Sequence, residues 1–246
     1  MSAIDPAIPS WPRILAPGAT SPPTLLKPAL EGPQPLASPP QTVVADMGFW
    51  QLQLADMPIH DGTPANPLAV TGSRVMLWRS LYNGWLADGL PIYMRLFDWN
   101  RGPRARAGLP LFGASVPHDD GSGFSDGMMY AQSTGDCVFA ADAAERATSV
   151  SVDVLTAAVP TAGDYVSVGD RLHFIAQAWP DEVVADRYTW RLRPGLRYAA
   201  TAGDEIEIAD PICKMVLSPR DRSTLLRMDY GRIGRATLTF YEANWS

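Results

Sequence analysis

Residues 118–127 carry the residue types that best fit a metal site. His118, Asp119, Asp120 and Asp126 lie close together in a run rich in glycine and serine. Calcium accepts carboxylate oxygens from such a loop, but the run lacks the terminal glutamate and the ligand spacing of a helix–loop–helix calcium site. A polar loop without metal is therefore the favoured interpretation, and a calcium loop is the alternative.

No residue pattern indicates nucleophilic or cofactor chemistry. Cys137 enters the apolar run 138–140, which is typical of a small core residue, and His173 alternates with Leu172 and Phe174 in a predicted strand. Two cysteines are too few for a disulfide framework or a thiolate metal cage. The sequence contains neither a phosphate-binding glycine loop nor an HExxH motif. We therefore predict no enzyme, no bound metal and no cofactor.

Composition and charge exclude further classes. The 246 residues are 46% hydrophobic and 19% charged, which is ordinary for a globular protein, and the net charge is −6. An acidic chain is a poor general nucleic-acid binder. No apolar run approaches the roughly 20 residues that span a bilayer, and the N-terminus lacks the pattern of a secretory signal. Membrane insertion and nucleic-acid recognition are not expected.

Residues 1–45 differ from the rest of the chain, because they hold 11 of the 23 prolines. Proline removes backbone donors and favours extended geometry, which predicts an extended arm rather than a helix or a central strand. A disordered tail is the alternative. The arm also carries apolar residues that we expect to lie against an adjacent subunit or a tail tube. These candidate interface residues are Trp11, Ile14, Leu15, Leu25 and Leu26.

Residues 46–246 are expected to form a mainly β body, a sandwich or small barrel with one amphipathic helix, with a possible subdivision into 46–136 and 137–246. The helix is predicted over residues 73–86, because apolar side chains recur there at helical spacing. Alternating apolar residues and Gly-Asp turns predict many short strands. The strands are expected at 49–54, 92–99, 128–132, 150–155, 165–168, 171–178, 187–193, 205–208, 212–217 and 236–241, with a loop at 55–70.

Residues 100–136 are rich in glycine, proline and serine and show little periodicity. A loop of this length is usually functional or mobile. Its start carries Arg101, Arg104 and Arg106, and Asp119 and Asp120 lie towards its end. We expect these charges to contact another subunit or a neighbouring protein, and pairing within the loop is the alternative.

Several short motifs occur in an order that resembles a known family. The segment 169–174 (GDRLHF) is followed by 188–197 (YTWRLRPGLR), by the Gly-Asp hairpin at 202–206 and by the Pro-led strand at 211–217. The helix-then-strand stretch 78–98 fits the same order. Across roughly residues 45–240, the chain resembles the distal tail proteins of long-tailed bacteriophages and gene transfer particles.

That resemblance implies a structural virion protein. Such proteins form a six-fold ring that joins the tail tube to the tail tip or baseplate, so the implied partners are other copies of the chain, the tail tube protein and the tail hub or tip proteins. The implied location is the tail tip of a virion assembled in the bacterial cytoplasm. A β body can join its neighbours by strand-edge pairing or by side-chain contact. The arm departs from the simplest family members, which leaves open whether the chain is the ring itself or a minor tail component.

Two other functions compete with the structural one. A carbohydrate-binding β-sandwich in a host-recognition apparatus would use exposed aromatic rings, and the chain has eight tryptophans. Burial in the core is expected for Trp78 and Trp85 on the helix stripe and for Trp50 and Trp190 in alternating strands. A cell-wall hydrolase is the third hypothesis, and no motif favours it.

Overall fold

The computed structural model divides the chain into two compact units. Met1–Ile4 and Asp98–Ile212 form one unit, here called the barrel unit, and Asp5–Phe97 and Cys213–Ser246 form the other, here called the sheet unit. The described residues are 4–17, 19–20, 22–27, 29–31, 42–44, 47–60, 74–96, 102, 136–155, 159–223, 228–229 and 233–243. The division differs from the predicted one, because the sheet unit combines residues from both ends of the chain.

The barrel unit contains six antiparallel strands that close on themselves in the order β10-β11-β8-β7-β12-β9. A closed barrel leaves no strand edge open along its circumference. The strands are β7 (Asp136–Phe139), β8 (Ser149–Val154), β9 (Tyr165–Val168), β10 (Arg171–Pro180), β11 (Arg187–Arg193) and β12 (Glu205–Glu207).

Two copies of one turn sequence, Thr-Ala-Gly-Asp, help to shape this barrel. In residues 161–164 the Asp164 carboxylate accepts the Thr161 backbone N–H at 2.7 Å, and in residues 201–204 Asp204 accepts Thr201 at 2.8 Å. Gly163 and Gly203 take φ values of 106° and 88°, which side chains rarely adopt. The Gly-Asp pairs therefore form turns in front of strands, as the sequence predicts.

The barrel interior is mostly apolar. Cys137 and Trp190 are fully buried in it, which confirms both as core residues. Apolar residues that recur at every second position of the strands supply the rest of the core. The members of this core include Phe139, Val150, Val152, Val154, Val166, Val168, Ile175, Leu192, Leu196 and Ile206.

The sheet unit is built on two long antiparallel strands, β5 (Phe49–His60) and β15 (Ile233–Glu242). Its main sheet has the order β1-β5-β15-β13-β6, with β2 also on β5 and β14 on β15, and β3 pairs with β4 separately. The remaining bounds are β1 (Ala19–Thr20), β2 (Thr24–Leu26), β3 (Ala29–Glu31), β4 (Thr42–Val44), β6 (Ile92–Arg95), β13 (Ile212–Leu217) and β14 (Met228–Asp229).

The predicted loop at 55–70 begins later than expected, because β5 continues to His60. Asp56 has a φ of 57° at a shift in the pairing with β15, which is the geometry of a β-bulge. The bulge inserts an extra residue and breaks the period-2 pattern on which the prediction depended. Residues 61–70 lie outside the described residues, as does the predicted strand at 128–132.

The predicted helix is present as α1 (Arg74–Leu81), followed by a π-helical turn (Tyr82–Leu86). Val75, Trp78 and Tyr82 are buried as expected, and Trp85 is half-buried. Trp78 stacks on Tyr82 with ring centroids 5.3 Å apart. A short 3₁₀ turn (Arg13–Leu15) and another (Asp221–Ser223) complete the helical elements of the described chain.

The N-terminal arm lies along two edges of the sheet unit's own sheet. The Trp11 backbone N–H donates to the Tyr93 carbonyl of β6 at 2.8 Å, and Tyr93 N–H donates back to Pro9 at 3.0 Å. Further on, β1 and β2 pair with successive parts of β5. Proline suits such edge positions, because its missing donor can face away from the sheet. The arm is extended, as predicted, and its described segments are ordered on the chain itself.

The fold class is the predicted one: a mainly β protein with a small barrel and one amphipathic helix. Within the described part of the chain, no helix is long and apolar enough to cross a membrane.

Candidate assembly surface

The β10–β11 hairpin ends in a turn whose backbone is firmly held. Asp181 Oδ1 accepts the backbone N–H groups of Val183 at 2.8 Å and Val184 at 3.0 Å. These two donors stabilise the charged carboxylate and hold the pKa of Asp181 below its usual value. Asp186 closes the turn with a φ of 62°, and its carbonyl accepts the Val154 N–H at 2.8 Å. The turn therefore has a defined shape at neutral pH.

This ordered turn presents apolar side chains to solvent. Val183 is 91% exposed, Trp179 is 46% exposed and Val184 is 39% exposed. The pairing of β8 with β11 places Leu155, which is 63% exposed, beside the same turn. We call these four residues the hairpin tip. Exposed apolar residues are unremarkable one at a time, but a cluster on a rigid element is typical of an interaction surface.

An ion pair fixes the base of the hairpin tip. The Arg187 guanidinium donates from Nε to Asp153 Oδ1 at 2.7 Å and from Nη2 to Oδ2 at 2.9 Å. This two-point geometry restrains both side chains in a way that a single contact does not. The hydrogen bonds from Arg187 lower the pKa of Asp153, so the pair is charged at neutral pH. Strands β8 and β11 are thereby joined next to the exposed residues.

The other end of β10 is polar and buried. The Arg171 guanidinium lies 3.2 Å from Asp170 Oδ1, and its Nη2 donates to the Tyr198 hydroxyl at 3.2 Å. Arg197 is also buried. The carboxylate offsets part of the cost of burying the Arg171 guanidinium, and the hydroxyl satisfies one of its donors. The β9–β10 pairing places Arg171 and His173 on the same face as the core residues Val168 and Val166, so a polar cluster completes the apolar core at this end of the strands.

His173 is held neutral in this cluster. Its Nδ1 lies 3.0 Å from the Pro194 carbonyl, so Nδ1 carries the proton and donates it. Burial, together with the nearby positive charges of Arg197 and Arg171, lowers the pKa of His173 to about 4, although the Pro194 hydrogen bond works in the opposite direction. The interpretation of His173 as a satisfied structural histidine is confirmed.

A concave apolar surface lies on the sheet unit. It is a groove of about 550 Å³ lined by Phe49, Pro91, Lys214, Val216, Tyr241 and Glu242. The strand residues Phe49, Val216 and Tyr241 alternate with buried neighbours, so they lie on the sheet face opposite the core. Phe49 and Tyr241 meet edge to face at 6.1 Å. We call this feature the outer-face groove.

The structure places two predicted interface residues in the chain's own core. Trp11 and Leu15 are each 1% exposed, and the Trp11 ring meets Phe240 of β15 edge to face at 5.5 Å. The Trp11 indole N–H also donates to the Leu15 carbonyl at 3.1 Å. Their expected burial against an adjacent subunit is therefore corrected: these anchors pack within their own chain. Sequence reasoning found the apolar anchors but could not identify the surface they cover.

The remaining predicted interface residues divide into two groups. Ile14 is 40% exposed, and Leu25 and Leu26 are half-buried on β2, where they pair with Trp50 and Phe49. An interface role for these three residues stays a prediction. The charged residues of the long loop lie outside the described residues, as does the candidate calcium segment. These are Arg101, Arg104, Arg106, Asp119 and Asp120, with His118 and Asp126.

Sequence reasoning missed the hairpin tip. The sequence predicts a strand at 171–178, but this pattern gives no significance to Val183 and Val184, which follow it between acidic residues. Two adjacent valines in a turn are a usable signal, since turns favour glycine, proline and small polar residues. Within the described ranges, no group of three or more His, Cys, Asp or Glu side chains could hold a metal ion. The candidate site is the hairpin tip, whose exposed side chains are apolar.

Comparison with protein-family models finds no match, and comparison with curated proteins finds none either.

Proposed function

We propose that this chain is a structural protein of a phage-type tail, which forms a ring between the tail tube and the tail tip or baseplate. The observation that carries the proposal is the hairpin tip. Val183 and Trp179 are exposed on a turn that Asp181 and the Arg187–Asp153 pair hold in one shape. A pre-formed apolar projection suits a lasting contact between proteins, because little conformational entropy is lost on binding.

The tail assignment in particular is supported by the motif order, and the structure gives the motifs physical roles. Gly195 in the segment RPGLR has no room for a side chain, since a Cβ there would lie 2.7 Å from the Arg146 carbonyl oxygen. The Leu196 N–H donates to the Ala147 carbonyl at 2.9 Å, which requires that close approach. Asp170 and Arg171 of the segment GDRLHF form the buried ion pair. The resemblance therefore rests on residues that shape the barrel, and the ring role is what the resembling family implies.

The proposal assigns no catalysis to the chain. Its partners are other copies of the chain, the tail tube protein and the hub or tip proteins, and its location is the virion tail tip. Sedimentation velocity and native mass spectrometry of the purified chain should show a defined ring-sized oligomer, and electron microscopy should show a six-fold ring. A strictly monomeric chain that does not bind the tail tube protein of the same genome would contradict the proposal.

A carbohydrate-binding module is the second candidate, and the exposure of Trp179 is the observation that favours it. Sugars stack on exposed aromatic rings, and Trp179 is the one exposed residue among the tryptophans whose side chains are described. A single platform is a weak basis for sugar affinity. Binding of the chain to cell-wall glycans that is lost in Trp179→Ala, without any change in oligomeric state, would favour this function over the ring.

A further inference from the structure

In the barrel and in the main sheet of the described chain, the strand edges are largely occupied by the chain itself. The barrel unit closes through β9–β10 pairing, and a closed barrel offers no edge along its circumference. In the sheet unit, residues 9–11 pair with the outer edge of β6, and β1 and β2 pair with β5. Copies of the chain that associate through these described strands must therefore do so mainly through side-chain surfaces.

Two such surfaces have opposite shapes. The hairpin tip of the barrel unit is convex, and it presents Trp179, Val183 and Val184. The outer-face groove of the sheet unit is concave, and its volume of about 550 Å³ is within the usual range of sites that hold bulky apolar groups. Since a convex and a concave surface differ, contact between them joins unlike faces of two copies, and such head-to-tail contacts generate rings when the rotation closes.

The charges on the two surfaces are complementary as well. Glu182 is exposed beside Val183 at the hairpin tip, with Asp181 and Asp186 on either side. Lys214, one of two lysines in the chain, lines the outer-face groove. The carboxylate of the groove, Glu242, is buried and accepts the Trp50 backbone N–H at 3.1 Å. Glu182 at the tip and Lys214 in the groove carry opposite charges, and a pairing between them selects one orientation of contact.

We infer that the hairpin tip of one copy inserts into the outer-face groove of the next copy, with Glu182 placed towards Lys214. This inference rests on the proposed ring and names the surfaces that close it. The occupant of the groove is a second copy of this chain. The competing occupant is the tip of the same chain, and the experiments below separate the two.

The first test uses two surface variants of the full chain. Val183→Asp with Trp179→Ser removes the tip and leaves the groove, whereas Val216→Arg fills the groove and leaves the tip. Met76→Ser is the matched control, because Met76 is 60% exposed and apolar but lies on the helix of the sheet unit. Circular dichroism confirms that each variant folds, and sedimentation velocity and native mass spectrometry report association. Each single-surface variant should be monomeric, and the control should match the unmodified chain.

The equimolar mixture of the two variants is the decisive sample. One intact tip and one intact groove remain, so the mixture should contain 1:1 dimers and nothing larger. If both variants keep the oligomer of the unmodified chain, the inference is wrong while the ring proposal stands. If the groove variant still associates and the tip variant does not, the contact is between two tips or with another surface, which also overturns the inference.

Charge reversal provides an independent test. Lys214→Glu should weaken association on the order of tenfold, as expected for a residue central to an interface, and Glu182→Lys in the same chain should restore most of it. If the unmodified chain is monomeric at every concentration, the second-copy inference is overturned, and the ring proposal fails as well if the chain does not bind the tail tube protein of the same genome. Coupling of these two substitutions in the stability of that monomer would then place the tip in the groove of its own chain, and the second-copy inference would be overturned.

Discussion

The barrel unit and the sheet unit are both antiparallel β structures, but they are assembled from the chain in opposite ways. The barrel uses one continuous stretch, from β7 at Asp136 to β12 at Glu207. The sheet joins β5 near the N-terminus to β15 near the C-terminus, and the Trp50–Glu242 hydrogen bond spans 192 residues. Long-range pairing costs loop-closure entropy before its contacts form. The sheet unit therefore depends on distant segments in a way that the barrel does not.

The arm follows from the same difference. A sheet with open edges invites pairing with other chains, and β6 is only four residues long. The arm covers both edges of this sheet: residues 9–11 pair with β6 at one edge, and β1 and β2 pair with β5 at the other. Trp11 also adds a large aromatic side chain to the core of the sheet unit. The barrel closes on itself and needs no such cover. A proline-rich segment therefore completes one unit and leaves the other self-sufficient.

The largest expected effect is that of Trp11→Ala. Removing a buried aromatic side chain costs about 3–5 kcal/mol, and Trp11 is 1% exposed against Phe240. The sheet unit should lose this stability. Native-state hydrogen exchange can measure the protection of its strands separately from that of the barrel strands. Ile14→Ala is the control, since Ile14 lies three residues further along the arm and is 40% exposed. Equal destabilisation of both units, or less than about 1 kcal/mol in the sheet unit, would contradict the role given to the arm.

The barrel unit should in turn be the acid-sensitive one, through His173. Its pKa is about 4 in the folded protein against 6.5 in a model peptide. Below pH 6.5 the unfolded chain therefore binds a proton at His173 that the folded chain does not bind. The free energy of unfolding consequently falls as the pH falls towards 4. The expected loss between pH 7 and pH 5 is about 2 kcal/mol, and at pH 4 it approaches about 3 kcal/mol.

Denaturant unfolding followed by exchange in the barrel strands measures this dependence. The carboxylates with lowered pKa values, Asp153, Asp181 and Asp204, add to it only when the pH approaches their unfolded value of 3.8. The interval from pH 7 to pH 5 thus reports mainly on His173. In His173→Gln the free energy of unfolding should depend much less on pH in this interval. If the pH dependence persists in that variant, another group is responsible.

Much of the fold could be predicted from the sequence where the signal was local. Strands β9, β11 and β13 were placed with the bounds the structure shows, since alternation and Gly-Asp turns lie within a few residues of each other. The bulge at Asp56 was not predictable, because its φ of 57° is fixed by pairing with a strand about 180 residues away. Local patterns predict elements, and they do not predict which elements meet.

The candidate site shows the same limit. Trp179 lies one residue beyond the predicted strand 171–178, and the pairing of β10 with β11 shifts register between Ile175 and Gln177. After this shift Ala178 pairs with the buried Trp190 and Trp179 pairs with Thr189, so Trp179 lies on the outer face and is exposed. The strand β9 also pairs only with Arg171–Phe174, so the far part of β10 extends past that neighbour. Exposure of Trp179 thus depends on a strand irregularity that a strict period of two does not predict. The arm's anchors were recognisable from composition, but which surface buries Trp11 depends on the tertiary fold.

A smaller effect tests the resemblance motif in the barrel. In Gly195→Ala the new Cβ would lie 2.7 Å from the Arg146 carbonyl oxygen and 3.2 Å from that of Ala147. Both are backbone atoms that hydrogen bonds hold in place, so overpacking should cost about 1–3 kcal/mol in the barrel unit. Thermal unfolding measures it. A neutral substitution would mean that the 194–197 segment shifts freely and that the glycine has no structural role in the motif.

The smallest effect is expected for Gly84→Ala in the sheet unit, the matched glycine without a close neighbour. A Cβ at Gly84 would meet nothing within 4 Å, and its φ lies outside the left-handed range. Alanine also restricts the unfolded chain more than glycine does, so the variant should be unchanged or more stable by about 0.4–1 kcal/mol. Thermal unfolding of Gly84→Ala and Gly195→Ala should be measured side by side. The comparison shows whether alanine is harmful only where space is lacking or at any glycine of the protein. If Gly84→Ala lost as much stability as Gly195→Ala, the π-helical turn at Tyr82–Leu86 would need its glycine for flexibility, and the sheet unit would be as tightly specified as the barrel.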